Sequence, residues 1–322
     1  MQRTQTVAML YLDESDREFW APSLKEVPGL LSIAVDGDLT HALEQLGGAV
    51  ANLRLVILSS RLYPVQHPEL ARRIRSACPQ SELLLVSASG VSSPPLMPLY
   101  ADNVRHLAIN PTGSGRSDRE ELSAAVEMLV ARRPWEISSC LKQGTSIHSF
   151  QLHSTEDKEA LIGALEAVLA GEGEEYELLR QKGALLADEL LENALYDAPR
   201  GAHGGKLFKK GEQRAMLPGE RIVFSFGFDG GTLALQLTDN WGSLEPDLVI
   251  EFLARNQEAG SKSDDEGGRG LFIIWRFLDQ FHVNVHPGQE TAVGGHLQLS
   301  SGLNPEAPRG FHITEHQIGE AA

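Results

Sequence analysis

Short apolar runs alternate with longer amphipathic stretches through the first 133 residues. Thr6–Leu12, Leu30–Val35, Leu53–Leu58, Glu82–Val86 and Val104–Ile109 have the length and the aliphatic content of buried strands. Between them, Ser15–Trp20, Leu39–Ala51, Pro68–Ala77, Pro94–Ala101 and Arg119–Arg132 read as helices. Strands that alternate with helices in this way predict an α/β domain, a flavodoxin-like doubly wound parallel sheet. Arg132-Arg133-Pro134 ends the last helix and marks a domain boundary.

Chemistry in such a sheet belongs at the carboxyl ends of the strands. The first strand is followed by Asp13, Glu14 and Asp16, a candidate acidic metal pocket. The third ends at Ser59-Ser60, the fourth at Ser87 and the fifth at Asn110-Pro111. This layout resembles response-regulator receivers, which carry the phosphate-accepting Asp after the third strand and Lys-Pro after the fifth. With serine and asparagine there instead, no aspartyl phosphate can form or be balanced. The resemblance therefore implies a pseudo-receiver over residues 1–133, with a generic flavodoxin-like domain as the alternative. The loop 111–117 lacks the Gly-Lys-Ser/Thr ending of a P-loop and reads as an ordinary connection.

In the second half the periodicity changes. Leu185–Pro199 is leucine-rich at helical spacing and is stopped by Pro199. Glu189 and Asn193 are four residues apart and so share one face of that helix. An amide oxygen one turn beyond a carboxylate suits Mg²⁺, and the carboxylate stays free to act as a base. Ile222–Gly227 and Thr232–Thr238 alternate as paired antiparallel strands around Asp229-Gly230-Gly231, and the second runs into Asp239-Asn240-Trp241-Gly242. A buried carboxylate at a strand end can accept a hydrogen bond from the exocyclic amine of adenine. Gly267-Gly268-Arg269-Gly270-Leu271 then opens an apolar helix, Phe272–Phe281, where backbone N–H groups can approach phosphate.

Charge sharpens this picture. The formal net charge is −16, and residues 134–322 carry 15 Lys/Arg against 29 Asp/Glu, whereas residues 1–133 carry 13 against 15. Such a surface repels nucleic acid and anionic lipid, so neither is an expected partner. A nucleotide site in it needs a metal ion and aligned N–H groups, which the glycine motif supplies. The two cysteines, Cys78 and Cys140, suggest no disulfide framework, and no apolar run has the length of a membrane span. A cytoplasmic protein is expected.

Together the three motifs resemble the N, G1 and G2 boxes of the GHKL ATPases, over residues 138–303. Within that superfamily the likeness is nearest to the anti-sigma-factor serine kinases, because an opening strand and helix (Ile147–Leu152, Lys158–Ala170) precede the N box and Gly-Leu-Phe-Ile-Ile follows the last glycine. The resemblance implies an α/β sandwich with ATP and Mg²⁺ as cofactors. It makes Glu189 the general base, Asn193 the metal ligand and Asp239 the adenine anchor, with Gly242, Gly268, Arg269, Gly270 and Leu271 around the nucleotide and Thr291 near the base. Residues 245–267 would form the ATP lid, mobile over Asn256–Glu266.

The sequence departs from the family at Trp241 and Ser243, where the G1 box has glycine, and in a basic-leaning insert at 200–220 with Lys206, Lys209, Lys210 and Arg214. No phosphoacceptor histidine segment precedes the N box; His148 and His153 read as structural. The tail, 304–322, shows no periodic apolar pattern and is expected to be flexible. Two functions are expected from these motifs. One is a partner-switching, anti-sigma-like protein serine kinase or regulator, acting on a regulatory protein and compatible with a homodimer. The other is a non-catalytic ATP-dependent binding module or scaffold beside a degenerate receiver domain.

Overall fold

A computed structural model describes residues 6–25, 27, 29–35, 39–49, 52–88, 94–110, 118–201, 203–259, 269–300 and 307–316. The chain is α/β and divides into two compact units between Pro134 and Trp135, with Phe311 onward returning to the second.

The first unit alternates β1 (Val7–Tyr11), α1 (Glu14–Leu24), β2 (Leu30–Ala34), α2 (Leu39–Ala49), β3 (Leu55–Ser59), α3 (Leu70–Ala77), β4 (Glu82–Ala88), α4 (Leu96–Ala101), β5 (His106–Asn110) and α5 (Asp118–Ala131). Its strands lie parallel in the order β2-β1-β3-β4-β5, the doubly wound order in which the chain reverses direction beside β1. All five residues of β1 and of β3 are buried, because helices cover both faces of the sheet. That is why these strands appear in the sequence as unbroken apolar runs.

At the carboxyl end of β1 the acidic residues do not form a metal pocket. Asp13 caps α1, accepting from the Asp16 amide at 2.9 Å and from Ser15 Oγ at 2.6 Å. Asp16 is buried and accepts from the Leu12 amide. Arg61, two residues past β3, donates both guanidinium ends to Asp13 at 3.0 and 3.2 Å. The bonds from Ser15 and the Asp16 amide, with Arg61 beside them, hold the Asp13 carboxyl below its usual range. A fixed guanidinium thus balances the charge that a cation would balance. Among the described residues no cluster of three or more His, Cys, Asp or Glu has metal-binding geometry. Ser60 and Ser87 meet across the β3 and β4 ends at 3.1 Å. The 111–117 loop lies outside the described residues.

The second unit holds β6 (Ile147–Gln151), α6 (Asp157–Val168), α7 (Glu174–Glu192), β7 (Ile222–Phe228), β8 (Thr232–Asp239), α8 (Pro246–Ala259), α9 (Arg269–Phe277), β9 (Gln280–His286), β10 (Glu290–Gln298) and β11 (Gly310–Glu315). Its sheet runs β11-β9-β10-β8-β7-β6, antiparallel from β9 through β6. Helices α6 and α7 pack on each other and on β7 and β8, α9 packs on α7, and α8 on α9. Buried Phe224, Phe226, Leu235, Leu186, Leu190 and Ile274 fill the space between sheet and helices. No helix among the described residues is long and apolar enough to cross a membrane. Cys78 and Cys140 are free and buried.

Three expectations change here. The apolar run after Arg269 does not stay helical to Phe281: α9 stops at Phe277, and Phe281 belongs to β9. The first part of the expected lid is a packed helix, α8, whose Val249, Ile250, Leu253 and Ala254 are buried along one stripe; residues 260–268 lie outside the described residues. The expected flexible tail contains β11, where Phe311 and Ile313 are fully buried and the His316 amide donates to Val285 O in β9. Pairing beside β9 and two buried anchors order a segment whose own pattern is too short to register.

Candidate functional site

The site is assembled around the end of α7. Leu186, Ala187, Leu190 and Leu191 bury one face of that helix, which fixes the direction in which Glu189 and Asn193 project. Past Glu192 the helix widens into a π-helical turn, Asn193–Asp197, closed by the Ala198 amide on Asn193 O at 2.8 Å. Such a turn redirects side chains at a helix end and is frequent at functional sites.

Gly270, in the first turn of α9, comes directly against this pair. A Cβ there would stand 2.8 Å from Glu189 Oε2 and 3.0 Å from Asn193 Oδ1. The absent side chain is what lets the start of α9 reach the carboxylate and the amide. Arg269 is exposed at the helix start, and Leu271 is buried beneath it. Gly268 lies outside the described residues.

Asp239, at the end of β8, is cross-strand partner to Thr291 in β10, and both are buried. After Asp239 the chain turns sharply, and Gly242 has φ +56°. A Cβ on Gly242 would stand 2.3 Å from His286 O and 2.5 Å from the Gln289 amide, in the β9–β10 turn. Only glycine fits that turn. Ser243 Oγ donates to Ala198 O at 2.7 Å, tying the segment after Asp239 to the end of the π-turn.

Electrostatics marks the same residues. Burial pushes the Asp239 carboxyl up to about 6, against opposing bonds from the Trp241 and Gly242 amides and with help from Glu290 and Glu220. Burial also raises Glu189, with Lys210 opposing and Asp188 and Glu192 adding to it. Among the described residues, Glu189 Oε2, Asn193 Nδ2 and Thr291 Oγ1 are buried with no hydrogen-bond partner. Native proteins rarely leave such groups unpaired, since each costs about 1–3 kcal/mol.

The Asp239 shift predicts a stability effect. A raised folded pKa contributes stability that is fully present below the ordinary value of 3.8 and lost as pH rises through about 6. Above that the buried charge costs about 3 kcal/mol. Asp239→Asn is expected to stabilise the protein by up to about that amount at pH 7.5, with the gain shrinking towards pH 4. Urea denaturation at a series of pH values measures it; a loss of stability at pH 7.5 contradicts the assignment.

Most of the described residues of the insert at 200–220 are exposed, yet three of its basic side chains are in ion pairs. Lys206 pairs with Asp197, and Lys210 lies 3.7 Å from Glu192. Arg214 is buried in a two-pronged pair with Glu220, at 2.7 and 2.8 Å. Burial alone would raise Glu220, but bonds from Arg214 and the Leu217 amide hold it below the usual range. The structure thus brings Glu189, Asn193, Gly270 and Leu271 together at one place and Asp239, Gly242 and Thr291 at another, joined through Ser243. The Arg214–Glu220 pair was not legible in the sequence, where both residues stand among other charges, Glu212 and Arg221.

No protein-family model matches the chain, and no curated protein does. Among solved structures, a protein described as pilus assembly-related from Burkholderia pseudomallei is similar at a TM-score of 0.31 and 13% identity, over 42% of this chain and 96% of that one. The response regulator LqsR of Legionella pneumophila is similar at a TM-score of 0.29 and 10% identity, over 95% of this chain and 94% of that one. Similarity at this level carries no functional argument.

Proposed function

We propose that the second unit binds ATP with magnesium and works in signal transduction as a partner-switching, anti-sigma-like protein serine kinase or regulator, with the first unit a pseudo-receiver. The observation that carries this reading is the set of three buried unpaired groups on Glu189, Asn193 and Thr291, two of them against a helix-start glycine with no room for a Cβ. In a nucleotide complex each of these atoms would gain a partner: Glu189 Oε2 a hydroxyl donor, Asn193 Nδ2 a phosphate oxygen and Thr291 Oγ1 an acceptor on the base.

Asn193 would hold the magnesium through its amide oxygen, and the metal would supply charge neutralisation at the phosphates. Mg²⁺ keeps several waters and needs only one or two protein groups beside the phosphate oxygens, so a single amide oxygen suits it as the protein's contribution. The first turn of α9, with Arg269, would face phosphate. Asp239 would accept from the adenine amine, with Thr291 opposite it on β10. Glu189 would take the hydroxyl proton of a partner's serine as that oxygen takes up the terminal phosphoryl group and ADP leaves.

The test combines melting and labelling. Wild-type protein with Mg²⁺ and ATP at about 100 times its dissociation constant is expected to gain about 2.7 kcal/mol, and Asn193→Ala to lose that gain. Glu189→Gln is expected to keep the shift but lower transfer to a co-purified protein by about 10²–10⁴-fold. Because burial raises Glu189, wild-type transfer should climb with pH through its titration. Absence of any ATP shift in the wild type sinks the nucleotide reading. A shift with no labelled protein, unaltered by Glu189→Gln, supports the non-catalytic ATP-dependent module instead.

A further inference from the structure

The residue two places after Asp239 is the bulkiest side chain available, and the structure shows what holds it. Trp241 Nε1 donates to Glu220 Oε1 at 3.3 Å. The side chains of Glu220 and its partner Arg214 are 1% and 5% exposed. Arg214 also donates to Leu195 O, in the π-turn after Asn193, at 2.9 Å, and its guanidinium lies over the Phe208 ring at 4.1 Å. The backbone amide of Trp241 in turn donates to Asp239 Oδ1 at 2.9 Å. Asn240 is pinned as well: its amide nitrogen donates to Gly219 O and its oxygen accepts from the Arg221 amide, both at 2.7 Å.

A pair this dry is an expensive way to stabilise a fold, because both ions lose their hydration. Burial of that kind is better matched to fixing one geometry. Here the geometry is specific: one guanidinium touches the segment that follows Asn193, and through Glu220 and Trp241 it reaches the turn that aims Asp239. An oxygen that selects an amine must be held in direction, since hydrogen bonds weaken steeply when misaligned.

We propose that Trp241, locked by the Arg214–Glu220 pair, is a positioning residue that orients Asp239 and so sets the preference for adenine over other bases. The proposal rests on the ATP reading of the site given above. Trp241 takes over the turn's conformation with a clamped side chain, at a position where the resembled family has glycine. It acts through Asp239 and not by contact with the phosphates, so its influence should be confined to the base.

The experiment is calorimetric titration of ATP-Mg²⁺ and of inosine triphosphate-Mg²⁺, whose base carries a carbonyl in place of the amine. Wild type is expected to prefer ATP. Trp241→Phe keeps an aromatic ring but removes the Nε1 donor, and should weaken ATP about tenfold while leaving inosine triphosphate nearly unchanged. Arg214→Lys keeps the charge without the fork and should narrow the preference the same way. Melting of each nucleotide-free variant controls for unfolding. Equal weakening of both nucleotides, unchanged ATP affinity in Trp241→Phe, or a wild type that binds both alike overturns the proposal and leaves the ATP reading intact. A wild type that binds neither overturns both.

Discussion

Replacing Gly270 by alanine is expected to abolish the stability gained with ATP-Mg²⁺, in a protein that melts no lower than the wild type. The two halves of that result come from different physics. Gly270 sits in the first turn of α9, where glycine is less favourable than alanine by up to about 1 kcal/mol, so helix propensity favours the substitution. The new methyl group would stand 2.8 Å from Glu189 Oε2 and 3.0 Å from Asn193 Oδ1, closer than carbon and oxygen tolerate. Both neighbours are ends of flexible side chains, so the fold can yield by moving them. The displaced atoms are the ones assigned to base and metal chemistry: moving the Asn193 amide would spoil the metal site on which ATP depends, and moving the Glu189 carboxylate would slow transfer, which is sensitive to the placement of reacting groups. Melting curves with and without ATP-Mg²⁺ decide it. An alanine variant that still gains stability with ATP shows that the approach of α9 to α7 is packing and not a binding cradle.

How much of this was legible follows from how each element is buried. In the first unit β1, β3 and β4 are covered on both faces, so each is a continuous apolar run that composition alone exposes. The pairing of Glu189 with Asn193 was legible for a similar reason, as four residues on a leucine-rich helix leave one choice of face. β9 was hidden because Phe281, Val283 and Val285 follow an apolar helix with no glycine or proline between, and because the alternating His282 and Asn284 are themselves buried. Nothing in a period count separates the end of α9 from the start of β9. α8 was hidden by its charges, although Val249, Ile250, Leu253 and Ala254 carry a helical stripe.

The least legible part of the candidate site is the irregular stretch before β7, and it carries the largest expected effect on stability. Arg214→Ala is expected to destabilise the protein by about 3–5 kcal/mol, because it strands the Glu220 carboxylate in a place with 1% side-chain exposure. The loss would exceed a simple truncation, since Leu195 O loses its guanidinium donor and Phe208 loses the cation over its ring. Replacing both partners, Arg214→Met with Glu220→Leu, removes the stranded charge and should recover most of that loss, as apolar residues of similar volume often stand in for buried ion pairs. The clamp on Trp241 would still be gone, so the double variant should be stable yet show the narrowed base preference expected of Trp241→Phe. Guanidinium denaturation of the two single variants and the double variant separates these effects. A single Arg214→Ala variant within about 1 kcal/mol of wild type would show that water reaches Glu220 and that the pair is an exposed one in solution.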